Sequence, residues 1–238
     1  MREESTLPPW PPVDAEGRQV RFATIDPRPR PDELLPVLEG VAVRLEPMSE
    51  DHVDALCRIG LDPRVTRFMP SPPRTTDEMA GFVSDALCAR RAGTAIPFVT
   101  ILKDGCSPGS PGKVVGTTRF ANIDSSSRRM EIGWTWIGLE WQRTRVNTEA
   151  KYLMLRHAFE TLECIRVEFK TDSLNMRSRA ALLRIGATQE GVFRNHVITA
   201  EGRVRHTVYF AMTLEEWPSI RSRLERLLSR GDEAPARA

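Results

Sequence analysis

The chain has 238 residues, long enough to bury a substantial core, with 34 Lys and Arg against 32 Asp and Glu, 40% hydrophobic residues and a formal net charge of +2. That balance excludes a whole-protein electrostatic surface for nucleic acid or membrane. No apolar run has the length of a membrane span, and the opening MREESTLPPWPP lacks the basic and apolar regions of a secretion signal, so a cytoplasmic protein is expected.

The four cysteines (Cys57, Cys88, Cys106, Cys164) and four histidines (His52, His157, His196, His206) are scattered without ligand spacing, so neither a metal site nor a disulfide framework is expected. Residues 1–38 are rich in proline and charge and read as an extended arm, because proline prevents an uninterrupted helix or central strand. The alternation VAVRL predicts a strand over 41–45, followed by a Ser49-capped helix with Val53, Leu56 and Cys57 at helical spacing. A second helix is predicted over 76–91, capped by Thr75 or Thr76, with Met79, Phe82, Val83, Ala86 and Leu87 on one face. Strands follow over 96–102, 114–121 and 129–139, the first two separated by the turn-rich KDGCSPGSPGK and the last two by NIDSSSRR.

The polar turn of WQRTRVNTEAKYLMLRHAFE runs into an amphipathic helix over about 148–162 that Asn147 can cap. Such a helix start offers free N–H groups and a positive dipole end to an anion. IRVEFKT alternates as a strand over 165–171, Ser173 or Asn175 begins a short helix reaching Ile185, and Gly186 stands where a helix C-terminus favours glycine. Two further strands over 188–194 and 206–212 turn at Gly202, and Trp217, Ile220, Leu224, Leu227 and Leu228 mark a terminal amphipathic helix. The domain plan is an arm over 1–38, a main folded domain over 39–214, and a terminal helix with a frayed tail over 215–238.

With VRLEPMSEDH, MEIGWTWIG, WQRTRVNTEAKYLMLRHAFE, IRVEFKTDSLN, RIGATQEGVFRNH and HTVYFAMTLEEW in this order, the chain resembles the GNAT family of N-acetyltransferases, in the branch that acetylates ribosomal-protein N-termini. The resemblance implies an α/β (α+β) fold: a mixed, mostly antiparallel sheet of six to seven strands flanked by about four helices. It implies acetyl-CoA in a cleft between the fourth and fifth strands. The family's cofactor loop places small residues where this chain has Arg145 and Asn147, and keeps Gln142. By resemblance the cofactor-binding set is Gln142, Arg143, Thr144, Arg145, Val146, Asn147, Thr148 and Asn175.

Direct attack of an amine on a thioester needs a neutral nucleophile, an oxyanion donor and a proton for the departing thiolate. By resemblance Glu131 is the base or water-positioning group and Ser178 the proton donor to the sulfur, with Trp134 on the substrate-pocket wall. From the residues alone, Glu131 equally fits a strand carboxylate paired with Arg128 or Arg129, and Asn175 with Ser178 an N-cap motif. Near pH 7 an α-amine is roughly a tenth neutral and a lysine amine roughly one part in several thousand, so an enzyme with a weak base favours less basic amines. The expected partner is a small-molecule or peptide amine, with no nucleic acid and no membrane, and a homodimer is left open. Alternatives are a catalytically weak acyl-CoA-binding regulator, an interaction module without cofactor, and a transferase of another acyl group such as succinyl.

Overall fold

The computed structural model describes residues 36–103 and 112–230. The expected arm up to residue 35, the turn over 104–111 and the tail after 230 lie outside the described residues. Eight strands form one sheet in the order β1-β2-β3-β4-β5-β6-β8-β7. They are β1 (Leu38–Glu39), β2 (Val43–Pro47), β3 (Ala95–Leu102), β4 (Lys113–Asp124), β5 (Arg129–Ile137), β6 (Arg166–Asp172), β7 (Thr188–Ile198) and β8 (Val204–Thr213). Every adjacent pair is antiparallel except β5–β6, which is parallel. The sheet therefore has one strand more than the seven at the upper end of the expectation, because β1 is two residues long and is defined by its pairing with Leu45 and Arg44 rather than by any pattern of its own.

Six α-helices flank it: α1 (Val53–Gly60), α2 (Pro63–Thr66), α3 (Thr76–Arg91), α4 (Arg145–Arg156), α5 (Met176–Ile185) and α6 (Trp217–Arg230). The caps are those the local sequence offers. Thr75 accepts a hydrogen bond from the Glu78 N–H, Asn175 accepts one from the Ser178 N–H, and Gly186 takes a left-handed φ of 103° at the end of α5.

Helices cover both faces, so central strands are buried on both sides. In β3, Ile96 and Phe98 join the core beneath α4 and α6, while Val99 and Ile101 join the core beneath α1 and α3. The larger core gathers Phe98, Phe120, Phe169 and Phe210 from four strands with Leu153, Met154 and Leu155 of α4. Trp217, Ile220 and Leu224 of α6 belong to the same cluster, with Trp217 stacked on Phe159 at 5.3 Å. Among the described residues no helix is long and apolar enough to cross a membrane.

Candidate active site

The parallel strands β5 and β6 pair only at Arg129–Arg166, Met130–Val167 and Glu131–Glu168. Beyond these they part, opening a cleft of about 710 Å³. The cause lies in β5, where the register against β4 shifts between Thr117 and Arg119, so that Trp134 and Thr135 both oppose Thr118. Trp134 has a left-handed φ of 50°, and an inserted residue of this kind bends and over-twists its strand. The bulge also resets side-chain alternation. Ile132 packs into the core under α4, whereas Trp136 packs into the core under α1 and α3. Trp134 stays 42% exposed on the cleft wall, 4.9 Å from the Arg119 guanidinium.

Gly133 leaves room at this bulge for the Glu131 carboxylate. A Cβ there would stand 2.7 Å from Glu131 Oε1, so that carboxylate, whose other oxygen is held by Asn122 and Lys170, would have to shift. We expect Gly133→Ala to cost roughly 1–3 kcal/mol, the scale of overpacking a tight site, as read by urea unfolding. An unchanged midpoint would show that Glu131 is free to move.

At the wide end of the cleft lies the start of α4. The helix begins at Arg145, three residues before the expected start, and its cap is Thr144, whose hydroxyl accepts from the Val146 N–H at 3.3 Å. Asn147 thus sits in the first turn rather than at the cap, and with Gln142 and Arg143 it lines the cleft. Arg143 is left-handed at φ 63°, which turns the chain into the helix. Gln142 donates to the Ile137 carbonyl at 3.0 Å and accepts from Arg177 at 2.7 Å, bracing this loop between β5 and α5.

The other residues expected at the cofactor have different surroundings. Val146 is in the core, and Thr148 accepts from Arg184 at 2.6 Å. Arg145 leans along α4 toward Glu149, with Nε and Oε2 3.9 Å apart. Glu149 is buried and accepts from the N–H groups of Val41 at 2.5 Å and Ala42 at 2.9 Å, which ties β2 to α4. Thr144, Arg145, Val146 and Thr148 do not contribute to the cleft lining. The lining that remains fits a cofactor with a phosphate group: Asn147 in the first turn of α4 lines the cleft together with the basic residues Arg143 and Arg177.

On the α5 side, Asn175 and Ser178 both line the cleft, and the Asn175 carbonyl oxygen accepts the Ser178 N–H at 3.1 Å. The capping role and the cleft position therefore coincide in the same pair. At the narrow end Glu131 is 4% exposed, accepts from Asn122 Nδ2 at 2.6 Å and pairs with Lys170 Nζ at 2.8 Å. Burial works against the Lys170 ammonium, but the hydrogen bond to Glu131 and its charge outweigh it and raise the lysine above its ordinary value. Asp172 is buried, accepts the Leu174 N–H at 3.0 Å, pairs with Arg203 and lies 4.0 Å from Arg205.

The far wall comes from elements distant in sequence. Val65, Phe68, Met69 and Pro70 line it together with His196 and Val197. The turn between β7 and β8 is fastened to this wall where Ala200 N–H donates to the Pro70 carbonyl at 2.9 Å and Arg74 pairs with Glu201 at 2.9 Å.

Sequence reasoning passed over Lys151, Lys170, Asp172 and Arg205, all of which line the cleft. For Lys151 a signal existed: it lies four residues from both Asn147 and Leu155, on a face that otherwise turns inward. For Lys170 and Asp172 none did, because an alternating strand with charged residues reads equally well as solvent-facing.

The sequence profile of the acetyltransferase (GNAT) domain matches residues 42–188. The uncharacterised N-acetyltransferase p20 of Bacillus licheniformis is 27% identical over 177 residues, covering 73% of this chain and 93% of its own length. A crystal structure of a GCN5-related N-acetyltransferase from Brucella melitensis superposes with a TM-score of 0.72 at 29% identity, over 84% of this chain and 89% of that one. Mycobacterium smegmatis RimJ, solved in complex with CoA-disulfide, superposes with a TM-score of 0.65 at 25% identity, over 79% of this chain and 89% of that one. With the splayed parallel pair and the domain match in agreement, the chain belongs to the GNAT acetyltransferase family and is an acyltransferase.

Proposed function

We propose that the protein transfers an acetyl group from acetyl-CoA to a primary amine, of a peptide N-terminus or a small molecule, by direct attack on the thioester. The observation that carries this reading is the parting of β5 and β6 after Glu131 and Glu168, next to the N-terminus of α4. When bound, acetyl-CoA supplies the activated acyl group. The chain's part is to bind and orient it. The first-turn N–H groups of α4, with Arg143 and Arg177, receive the phosphates. The parted edge of β5 faces the cleft along residues 133–136, as does the start of α5 with Asn175 and Ser178. Ser178 stands on that wall as the donor to the sulfur. Trp134 with Phe68 and Met69 forms an apolar wall for the acceptor, and the engaged carboxylate of Glu131 makes the polar end of that pocket. The motif resemblance to the branch that acetylates ribosomal-protein N-termini favours an α-amine acceptor.

Calorimetry with acetyl-CoA, followed by thiol release across α-amine peptides, polyamines and aminoglycosides, tests the reading. Binding with amine-dependent release is the expected result, and no binding at millimolar acetyl-CoA would overturn it. Two variants locate the phosphate. Arg143→Glu is expected to weaken acetyl-CoA by at least about tenfold, the worth of one charge-assisted contact. Arg145→Glu is expected to leave the affinity within about threefold and instead to lower the melting temperature, since two carboxylates would then crowd the segment that holds β2. The reverse pattern would place the phosphate on Arg145.

A further inference from the structure

Lys151 is 4% exposed, yet it lines the cleft, on the face of α4 one turn beyond Asn147. Its amine reaches two hydroxyl groups: Thr135 Oγ1 at 2.7 Å and Thr118 Oγ1 at 3.3 Å. These hydroxyls are themselves 2.8 Å apart. The contact exists because of the β5 bulge, which places Thr135 opposite Thr118 on the side facing α4. Thr135 is exposed and lines the cleft, so it connects a buried amine to the space where substrate binds.

The charged groups on the surrounding elements are engaged elsewhere. On β4, Arg119 sits 4.9 Å from both the Phe82 and Trp134 rings. On β5, Glu131 is held by Asn122 and Lys170, and on α4 Glu149 is held by Val41 and Ala42. On α5, Arg184 donates to Thr148. No ion pair forms at Lys151 among the described residues, and burial pushes its amine down to about 7.

A neutral amine carries a lone pair that an ammonium lacks, and a threonine hydroxyl can donate inward while accepting from the cleft. We propose that Lys151, reached through Thr135, is the proton acceptor of the acyl transfer. This role rests on reading the cleft as an acetyl-CoA-dependent amine transferase site. The acceptor arrives as an ammonium ion, and its first proton passes through the Thr135 hydroxyl to the Lys151 lone pair. The freed amine attacks the thioester carbonyl carbon, the N–C bond forms and the C–S bond breaks. Ser178 protonates the departing thiolate to the thiol and is itself reprotonated by the second nitrogen proton, and Lys151 returns its proton to solvent through Thr135. Glu131 is the less suited acceptor, since both Asn122 and Lys170 already hold its Oε2.

The test begins without turnover. A pH titration of the lysine side chains by NMR in the full chain is expected to show one amine with a midpoint near 7 that is absent from Lys151→Met and that moves when acetyl-CoA is added. A Lys151 midpoint near 10 overturns the role whatever the activity. Turnover then separates positioning from packing. Both Lys151→Met and Thr135→Val are expected to bind acetyl-CoA within about threefold of the unaltered protein. With an α-amine peptide, Lys151→Met is expected to lose at least about 100-fold in kcat, the contribution of a general base, together with the acid limb near pH 7. Thr135→Val is expected to lose about tenfold or more while the Lys151 amine still titrates. If Lys151→Met turns over with an unchanged pH limb, the role fails and the transferase reading survives. If the unaltered protein binds no acetyl-CoA, or releases no thiol with any amine of the panel, the transferase reading fails and takes this role with it.

Discussion

Asp172→Asn is expected to destabilise the protein by ~3–5 kcal/mol, the cost of removing one member of a buried ion pair while leaving the other charge in place. Asp172 is the last residue of β6, where the strand has already parted from β5, and its carboxylate has no exposed surface. The Asn side chain can still accept the Leu174 N–H, so the turn leading to α5 keeps its hydrogen bond. What it loses is charge. Arg203 is 37% exposed and can turn to water, whereas Arg205 is 9% exposed and cannot. Burial already lowers the Arg205 guanidinium, with the Asp172 carboxylate the main opposing influence. Urea unfolding at pH 7 measures the effect. A loss below about 1 kcal/mol would mean that the Asp172–Arg205 arrangement relaxes without cost and does not hold the cleft wall in shape.

The second large effect is one of pH. The Lys151 amine lies near 7 in the folded protein and near its ordinary 10.5 in the unfolded chain. Between these values the unfolded state binds more protons, so this residue makes stability rise with pH across the window from about 7 to about 10.5. Below pH 7 the full penalty of the buried amine is present. Each pH unit between the two values is worth about 1.4 kcal/mol, so the penalty is on the order of 5 kcal/mol. Lys151→Met keeps the length of the side chain and removes the titration. The variant is therefore expected to exceed the unaltered protein in stability at pH 6 and to lose that advantage steadily above pH 7. Urea midpoints for both proteins from pH 6 to pH 10 cancel the groups they share. Parallel curves would mean that the amine is solvated or paired. A variant more stable and yet inactive is a result that a purely structural lysine does not produce.

The strand patterns, the helix faces and the family were legible in local sequence, because alternation and helical spacing record which side of an element is buried. The landmarks from MEIGW to RIGAT placed the cleft and most of its walls. Local sequence did not show where α4 starts: Thr144 and Asn147 are both good caps, and the choice falls to Thr144 through packing that puts Val146 in the core. Nor did it show which arginine of QRTRVN faces the cleft. Arg143 does so because it adopts a left-handed conformation, while one turn of helix carries Arg145 around to Glu149.

The sequence by itself therefore determined the family, the mixed sheet and the general location of the site. Only the tertiary structure decided which charges act there. Glu131 is engaged because Asn122 and Lys170 come to it from neighbouring strands, and Lys151 meets two hydroxyls, with no carboxylate partner among the described residues, because a bulge in β5 turned Thr135 toward α4. Protonation and charge are set by burial and by neighbours, and those neighbours are distant in sequence.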